Sequence, residues 1–142
     1  MKRAVILYHS KTGITGNYAR QIGKYLGEKD VDVQISSIQG YQYNREILEK
    51  ADYVLLGCWT SGLMVILQHP ENVWKDFAAK LPDMPDAKLA LFTTYKILTG
   101  SMFRNMYKEL DGKFTKTSLE LKSRNGLLSK ADEKGLDDFI GK

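Results

Sequence analysis

Hydrophobic residues occur along the chain in two kinds of short run, and the difference predicts the order of strands in a sheet. Residues 4–8, 53–57 and 89–92 are continuously apolar, as in parallel strands that are buried on both faces. Residues 31–35 and 118–122 alternate between apolar and polar side chains, as half-exposed edge strands do. Because the edges are then the second and fifth strands in chain order, we expect five parallel strands in the order 2-1-3-4-5.

Helical patterns fall between these strands. They cover residues 16–26, 44–50, 70–81, 101–110 and 130–140. Regular alternation of strands and helices predicts an α/β fold, a three-layer α/β/α sandwich with helices on both faces of the sheet. With 142 residues, we expect one domain spanning residues 1–142.

The ends of three helices carry recognisable signals. Asn44 is the candidate N-cap of the second helix, and Pro70 suits the first turn of the third. Gly27 is the expected C-terminal cap of the first helix. The apolar face predicted for the third helix consists of Val73, Trp74, Phe77 and Leu81.

The stretch between the first strand and the first helix has the composition of an anion site. It consists of Ser10, Lys11, Thr12, Gly13, Ile14 and Thr15. In a strand–loop–helix unit, loop N–H groups and the helix dipole favour negative charge at one position. Hydroxyl groups add donors, and glycine lets the backbone approach a ligand closely. The loop lacks the Gly-Lys-Ser/Thr of a P-loop and the G-x-G-x-x-G of a dinucleotide site, so we predict a different phosphate ligand.

Residues 6–22 resemble the flavodoxin signature. The matching positions are two aliphatic residues, then Tyr8, Ser10, Gly13, Thr15, Ala19 and the aliphatic Ile22. The resemblance implies a flavodoxin-like fold in which residues 10–15 bind the 5′-phosphate of FMN. The alternative is an ordinary strand–turn–helix with an N-cap rich in Ser and Thr.

Two further loops are expected beside the first, because ligands of open parallel sheets bind beyond the carboxyl ends of the strands. After the third strand come Trp59, Thr60, Ser61 and Gly62, and after the fourth come Thr93, Thr94, Tyr95 and Gly100. The resemblance implies that these loops enclose the isoalloxazine ring of FMN. Backbone amides of residues 60–62 and 94–95 are then the expected donors to the pyrimidine edge of the ring.

The second of these three loops departs from the flavodoxin pattern. Ser61 stands where an aromatic stacking residue is usual, and Trp59 falls two positions early. Trp59 therefore either covers the flavin or packs beneath the loop, whereas Tyr95 is the better candidate for stacking. The apolar run at residues 63–67 either packs under the third helix or forms a hydrophobic surface for a partner, a second subunit or an apolar substrate.

Composition limits the cellular setting and the other kinds of site. The single cysteine, Cys58, excludes an internal disulfide and favours a reducing compartment, so we expect a cytoplasmic protein. No apolar stretch has the length of a membrane span, so no membrane association is expected. Cys58 is more easily explained as a buried structural residue than as a redox thiol. His9 and His69 do not form a metal-binding pattern with it.

The net charge of +4 is unevenly distributed. Residues 88–142 contain 11 Lys and Arg against 7 Asp and Glu, whereas residues 1–87 contain 10 of each. Within the basic part, Lys96, Arg104 and Lys108 are better explained as a solvated face than as a nucleic-acid site. Electron-carrier flavodoxins are usually acidic, so a basic balance suggests either a different partner surface or a flavin role that does not use that mode of docking.

Three functions remain open for the chain. We expect an FMN-binding redox protein that carries electrons between protein partners as a monomer or homodimer. The alternatives are a small FMN-dependent oxidoreductase, such as a quinone reductase, and a flavin-free interaction module. The basic C-terminal third and the apolar run at residues 63–67 fit the enzyme better than they fit the carrier.

Overall fold

The computed structural model of the protein describes residues 1–10, 13–38, 45–60, 72–95 and 101–141, with the backbone alone for residues 116–118. Within these ranges, strands and helices alternate along the chain. The strands are β1 (Arg3–His9), β2 (Asp32–Ser37), β3 (Tyr53–Trp59), β4 (Lys88–Thr94) and β5 (Lys116–Ser123). The helices are α1 (Ile14–Glu28), α2 (Arg45–Glu49), α3 (Asn72–Ala79), α4 (Met102–Glu109) and α5 (Lys130–Ile140).

The five strands form one parallel sheet in the order β2-β1-β3-β4-β5. This confirms the predicted order. The continuously apolar runs became β1, β3 and β4, because each of these strands has a neighbour on both sides and a helical layer on both faces. The alternating runs became the edge strands β2 and β5.

Alternation within the central strands divides the core into two clusters. Val5 and Leu7 of β1 face the cluster that contains Trp74 and Phe77 of α3 and the buried methionines of α4. Ala4 and Ile6 face the opposite cluster, which α1 and α5 cover. Burying one large apolar side chain contributes about 1.5–3 kcal/mol, so both helical layers are strongly held to the sheet.

The register of the sheet brings the carboxyl ends of four strands level with one another. His9 pairs with Cys58, and Trp59 pairs with Thr94. Thr94 in turn pairs with Ser123 at the end of β5. The segments that follow β1, β3, β4 and β5 therefore begin side by side, which is the arrangement that the sequence predicts for the binding site.

Two expectations about helices are wrong, and two lie outside the described residues. Helix α1 continues through Gly27, and the chain leaves the helix at Lys29 and then Asp30, whose φ of 64° is left-handed. Asp tolerates this conformation better than most residues, so no glycine is needed there. Val73 is 44% exposed, because α3 begins at Asn72 and presents that position to solvent. Asn44 and Pro70 lie outside the described residues.

Gly57 near the end of β3 is required by packing. A Cβ atom at this position would collide with the ring of Phe92 on β4. Phe92 is fully buried and contacts Tyr18 of α1 edge to face, with ring centroids 6.0 Å apart. Gly57 therefore makes room for the aromatic contact that joins α1 to the sheet. None of the helices in the described ranges is long and apolar enough to cross a membrane.

Candidate functional site

The turn between β1 and α1 is built around Gly13. This residue is the N-cap of α1 and has left-handed backbone angles of φ 89° and ψ −9°. Its N–H donates to Ser10 Oγ at 2.9 Å, and its carbonyl accepts from the N–H of Asn17 at 2.9 Å. The chain thus reverses sharply at Gly13 and enters the helix directly.

The start of α1 has the properties of an anion-binding site. No side chain of the described residues caps it, and its first turn contains no acidic residue. First-turn amides of a helix lack partners within the helix, and the dipole makes this end positive. A phosphate group fits such a donor set, because it supplies the acceptors and the negative charge that this end of the helix lacks.

A buried hydrogen bond joins this turn to the end of β4. Thr15 Oγ1 and Thr94 Oγ1 are 2.5 Å apart, and the two residues are only 1% and 5% exposed. In such a pair one hydroxyl donates and the other keeps its own proton for a further acceptor. The bond therefore fixes Thr15 in place and leaves one of the two hydroxyls able to donate to a ligand.

The starts of the next two loops are also joined to each other. The N–H of Thr60 donates to the Thr94 carbonyl at 2.8 Å, and the Thr60 and Thr93 hydroxyl oxygens are 2.8 Å apart. Thr93 Oγ1 donates to the Cys58 carbonyl at 2.6 Å, so Thr60 must be the donor in the bond between the two hydroxyls. These bonds hold the ends of β3 and β4 at a fixed separation.

Two of the expected amide donors are used within the protein. The Thr60 amide donates to Thr94, and the Tyr95 amide donates to the Ser123 carbonyl at 3.2 Å. The two bonds continue the ladder of the sheet past the ends of β3 and β4, so neither amide is available to the edge of a ring here. The Thr94 amide belongs to β4 itself.

The two candidate aromatic residues differ in their surroundings. Trp59 is partly buried and packs against the hydrophobic cluster on the α3 and α4 side of the sheet. Tyr95 is half-buried at the end of β4. Trp59 thus has a packing role, whereas the position of Tyr95 suits stacking. The other predicted site residues, Lys11, Thr12, Ser61, Gly62 and Gly100, lie outside the described residues.

The segment after β5 also belongs to this region, although no sequence pattern predicted it there. Asn17 Nδ2 donates to the Gly126 carbonyl at 3.1 Å, and the Leu128 amide donates to Gln21 Oε1 at 2.8 Å. Both side chains lie on α1, more than 100 residues earlier in the chain. The one signal in the sequence was the Asn125-Gly126 pair, which is typical of a tight turn.

Gly126 brings this segment against the N-terminal end of α1. Its φ is 79°, and a Cβ atom would lie 2.7 Å from the carbonyl oxygen of Ile14. Ile14 and Leu127 are both large apolar residues and are 39% and 53% exposed. An exposed apolar pair therefore borders the predicted site.

Tyr18 is the most strongly perturbed titratable group near the site. Its hydroxyl donates to Asp132 Oδ2 at 2.8 Å. Burial, followed by the negative charge and hydrogen bond of Asp132, raises the pKa of Tyr18 far above its ordinary value of 10.0. Tyr18 is therefore a neutral hydrogen-bond donor that ties α1 to α5. The described residues contain no group of three or more His, Cys, Asp or Glu suited to a metal ion.

Comparison with known proteins gives the family of this chain, and the fold and the uncapped start of α1 agree with that family. A family described as Flavodoxin matches residues 6–138, which is most of the chain. The protein belongs to the flavodoxin family. Flavodoxins bind FMN.

Individual relatives are more distant. Flavodoxin 1 of Azotobacter vinelandii is 31% identical over 98 residues, which cover 65% of this chain and 52% of that protein. The chain thus spans about half the length of the curated relative that it matches.

Solved structures share the fold. The two-electron reduced flavodoxin of Megasphaera elsdenii has a TM-score of 0.73 and 21% identity, with 94% of each chain covered. The Fusobacterium nucleatum flavodoxin bound to flavin mononucleotide has a TM-score of 0.65 and 15% identity, with 99% of this chain and 96% of that one covered.

Proposed function

We propose that this protein is a cytoplasmic FMN-binding carrier that transfers electrons between redox partner proteins. The observation that carries the proposal is the start of α1, where Gly13 opens an uncapped helix with no acidic residue in its first turn. Membership of the flavodoxin family supports FMN as the ligand.

The phosphate of FMN belongs at residues 10–15. The first-turn amides of α1 supply donors, and the hydroxyls of Ser10, Thr12 and Thr15 supply more. Lys11 adds a positive charge in sequence next to them. Thr15 is already positioned by its bond to Thr94, so its hydroxyl does not have to be ordered when the ligand binds.

The isoalloxazine ring belongs between the loops after β3 and β4. Tyr95 is the residue we assign to stacking on the ring. Trp59, at the start of the loop after β3, packs against the core instead. Thr60, Thr93 and Thr94 hold the beginnings of the two loops together. Ser61, Gly62 and Gly100 complete the lining, and their small side chains let the backbone approach the ring.

FMN supplies the chemistry when it is bound, because its ring accepts and donates electrons one or two at a time. The protein contributes binding, orientation and the electrostatic surroundings of the ring. At the ends of β3 and β4, the hydroxyls of Thr60, Thr93 and Thr94 are all bonded within the protein. A carrier needs no catalytic acid or base, so this lining fits the proposal.

A redox experiment tests the assignment. We expect the purified protein to take up FMN, to show the visible bands of oxidised flavin, and to have two separated one-electron potentials. We also expect it to oxidise NAD(P)H only slowly when a quinone is the acceptor. Rapid NAD(P)H oxidation with a quinone would show a reductase instead. A colourless protein that does not take up added FMN would show a flavin-free module.

A further inference from the structure

Strand β2 forms one edge of the sheet, and in the described residues it pairs with β1 alone. The N–H of Asp32 donates to the Lys2 carbonyl at 2.9 Å, on the side of β1. Consecutive residues of a strand point their backbone groups to opposite sides, so the even-numbered residues of β2 bond to β1. The N–H and C=O groups of Val33 and Ile35 therefore point away from the sheet.

The sequence of β2 lacks the features that usually keep an edge strand from pairing. Such edges carry charged residues, proline or a bulge. Residues 33–37 contain neither a charge nor a proline, and β2 pairs with β1 without a register shift. The other edge strand, β5, has Glu120 and Lys122 and a register shift opposite Leu89 and Ala90. Of the two edges, β2 is therefore the one that is open to a further strand.

Val33 and Ile35 also provide the apolar side chains of β2. A Cβ atom on Gly23 of α1 would collide with Ile35 and would lie 3.4 Å from Val33, so both side chains lie on the face that α1 covers. Ile35 is nevertheless 37% exposed. The outer edge of β2 thus combines outward-pointing backbone groups with exposed apolar surface.

This edge is complementary to itself. When two copies of β2 run antiparallel about a two-fold axis at Gln34, Val33 of each copy lies opposite Ile35 of the other. The two residues of each pair exchange N–H and C=O bonds, and their apolar side chains meet on one face. Asp32 lies opposite Ser36 in this register, so no like charges face each other across the axis.

Charges on α1 are complementary in the same arrangement. The Arg20 side chain folds back along the helix, and its Nη1 would lie 3.4 Å from a Cβ atom on Gly16. Gly16 and Asp30 are seven residues before and after Gly23, or about 10 Å in each direction from the centre of β2. The two-fold axis therefore brings Asp30 of one copy beside Arg20 of the other. Both residues are exposed, and neither has an ion-pair partner in the part of the chain that the structure describes.

The two α1 helices have room beside each other. An axis perpendicular to the sheet keeps both helices on the same face, where they run antiparallel. Gly23 has no side chain at the crossing point, and a Cβ atom on Gly27 would have no atom within 4 Å. The flank of α1 next to β2 therefore does not block a second copy.

We propose that the outer edge of β2 is a dimer interface at which a second copy of this chain adds its own β2 in antiparallel orientation. The two five-stranded sheets then form one continuous sheet of ten strands. Because the strands are antiparallel across the axis, the carboxyl ends of the two sheets point in opposite directions. Both ends at which we place FMN stay open, and the dimer forms with or without FMN.

Sedimentation of the full-length protein tests for the dimer. We expect a mass of 16.1 kDa at low concentration and twice that mass at high concentration, over a range from about 1 µM to about 500 µM. Gln34→Glu and Gln34→Lys should each raise the dissociation constant at least about tenfold, because each puts like charges opposite each other at the axis. An equimolar mixture of the two variants should dimerise again, since Glu then meets Lys.

Three outcomes of this experiment would overturn the proposal. They are a protein that stays monomeric over the whole range, Gln34 variants that dimerise as tightly as the unmodified chain, and a mixture that dimerises no better than each variant alone. Gln34 is exposed, so circular dichroism should show both variants folded.

A charge reversal on α1 tests the predicted ion pairs. Arg20→Glu should raise the dissociation constant at least about threefold, because Asp30 of the second copy then faces a carboxylate at two symmetric positions. The matched control is Lys108→Glu, which makes the same charge change at an exposed position of α4, on the other face of the sheet. Equal effects of the two variants would count against the proposed geometry, since they would reflect net charge alone.

Hydrogen exchange of the unmodified protein locates the interface without any substitution. The amides of Val33 and Ile35 should exchange at least about tenfold more slowly at about 500 µM than at about 5 µM, because they bond only in the dimer. The amides of Gln34 and Ser36 should be equally protected at both concentrations, because they bond to β1 in either state. Exchange at Val33 and Ile35 that does not depend on concentration would contradict the interface, whatever the protein's affinity for FMN.

Discussion

Thr15 and Thr94 are 79 residues apart in the sequence, yet their side-chain oxygens lie 2.5 Å apart and are buried. One residue belongs to the first turn of α1 and the other to the last position of β4. The bond therefore connects the turn assigned to the phosphate with the loops assigned to the ring. It also gives a direct way to measure how strongly the two parts of the site are coupled.

Replacing either threonine alone by valine should destabilise the protein by about 1–3 kcal/mol. Each replacement preserves the shape of the side chain but leaves the other buried hydroxyl without its partner. The free energy of unfolding of the FMN-free protein, measured by urea denaturation, tests this expectation.

The double variant is the control for this pair. Thr15→Val combined with Thr94→Val removes both hydroxyls, so no orphaned polar group remains. It should be less destabilised than the sum of the two single variants by at least about 1 kcal/mol. Additive effects of the two replacements would show that the hydroxyls do not interact.

Three glycines with left-handed backbone angles should respond differently to alanine. Gly13→Ala and Gly112→Ala should each cost about 1 kcal/mol, because both positions have positive φ but open space at Cβ. Gly126→Ala should cost more than about 2 kcal/mol, because its Cβ would also press on the Ile14 carbonyl. Thermal or urea unfolding of the three variants gives the comparison.

FMN affinity should differ between Gly13→Ala and Gly112→Ala, the two variants that we expect to be equally stable. Gly13 lies in the turn assigned to the phosphate, whereas Gly112 lies between α4 and β5 at the other end of the sheet. Gly13→Ala should therefore weaken FMN binding, and Gly112→Ala should not. Equal affinities of these two variants would remove Gly13 from the binding site.

Alkaline pH should destabilise the protein through Tyr18. Below pH 10 this tyrosine is protonated in both the folded and unfolded states, so it contributes its full stabilisation there. Above pH 10 the unfolded chain ionises while burial and Asp132 keep the folded residue neutral, so stability falls as pH rises. One such group contributes a slope of about 1.4 kcal/mol per pH unit.

Variants of the two tyrosines on α1 test that slope. Tyr18→Phe should reduce the fall in the free energy of unfolding between about pH 9 and pH 11, because phenylalanine cannot ionise. Tyr25 is the comparison: its hydrogen bond to Asp137, with some burial, raises its pKa to about 12, but its bond lies at the surface. Tyr25→Phe should remove a similar slope below about pH 12, and the two variants should differ only above that pH, where folded Tyr25 ionises and folded Tyr18 does not. An unchanged slope in Tyr18→Phe would show that this hydroxyl ionises freely in the folded protein.

Replacing Tyr95 and Trp59 one at a time should distinguish stacking on the flavin ring from packing in the core. Tyr95→Ala should shift the visible spectrum and the potentials of bound FMN with little loss of stability, since Tyr95 is half-buried at a strand end. Trp59→Ala should lower the free energy of unfolding by about 2 kcal/mol or more, because Trp59 packs against the core cluster under α3 and α4. A Tyr95→Ala variant with an unaltered spectrum and unaltered potentials would exclude Tyr95 from stacking.

The central sheet could be predicted from the sequence because burial determines both the apolar pattern of a strand and its position in the sheet. A strand such as Ala4–Tyr8 is apolar at every position only if both of its faces are covered, and alternation from Val31 to Ile35 occurs only at an edge. Burial therefore indicated the two edge strands, and 2-1-3-4-5 is the doubly wound order that has those strands at its edges. Gly13 could be assigned to the turn because few other residues tolerate its conformation.

Contacts between distant segments could not be predicted in the same way. Asn17 and Gln21 are polar residues of α1, and their side chains bond to the backbone of residues 126 and 128. The bonds of Thr60 and Tyr95 depend on how far each strand pairs beyond its apolar run. No local pattern encodes either feature, because both depend on where the sheet places its strand ends.

The preference for FMN over riboflavin tests the central claim most directly. The two ligands share the ring and differ only in the phosphate, so their relative affinity isolates residues 10–15. Fluorescence quenching should show tight one-to-one binding of FMN, and binding of riboflavin weaker by at least about a hundredfold, the sum of several charge-assisted hydrogen bonds. Equal affinity for the two ligands, or no affinity for either, would contradict the account.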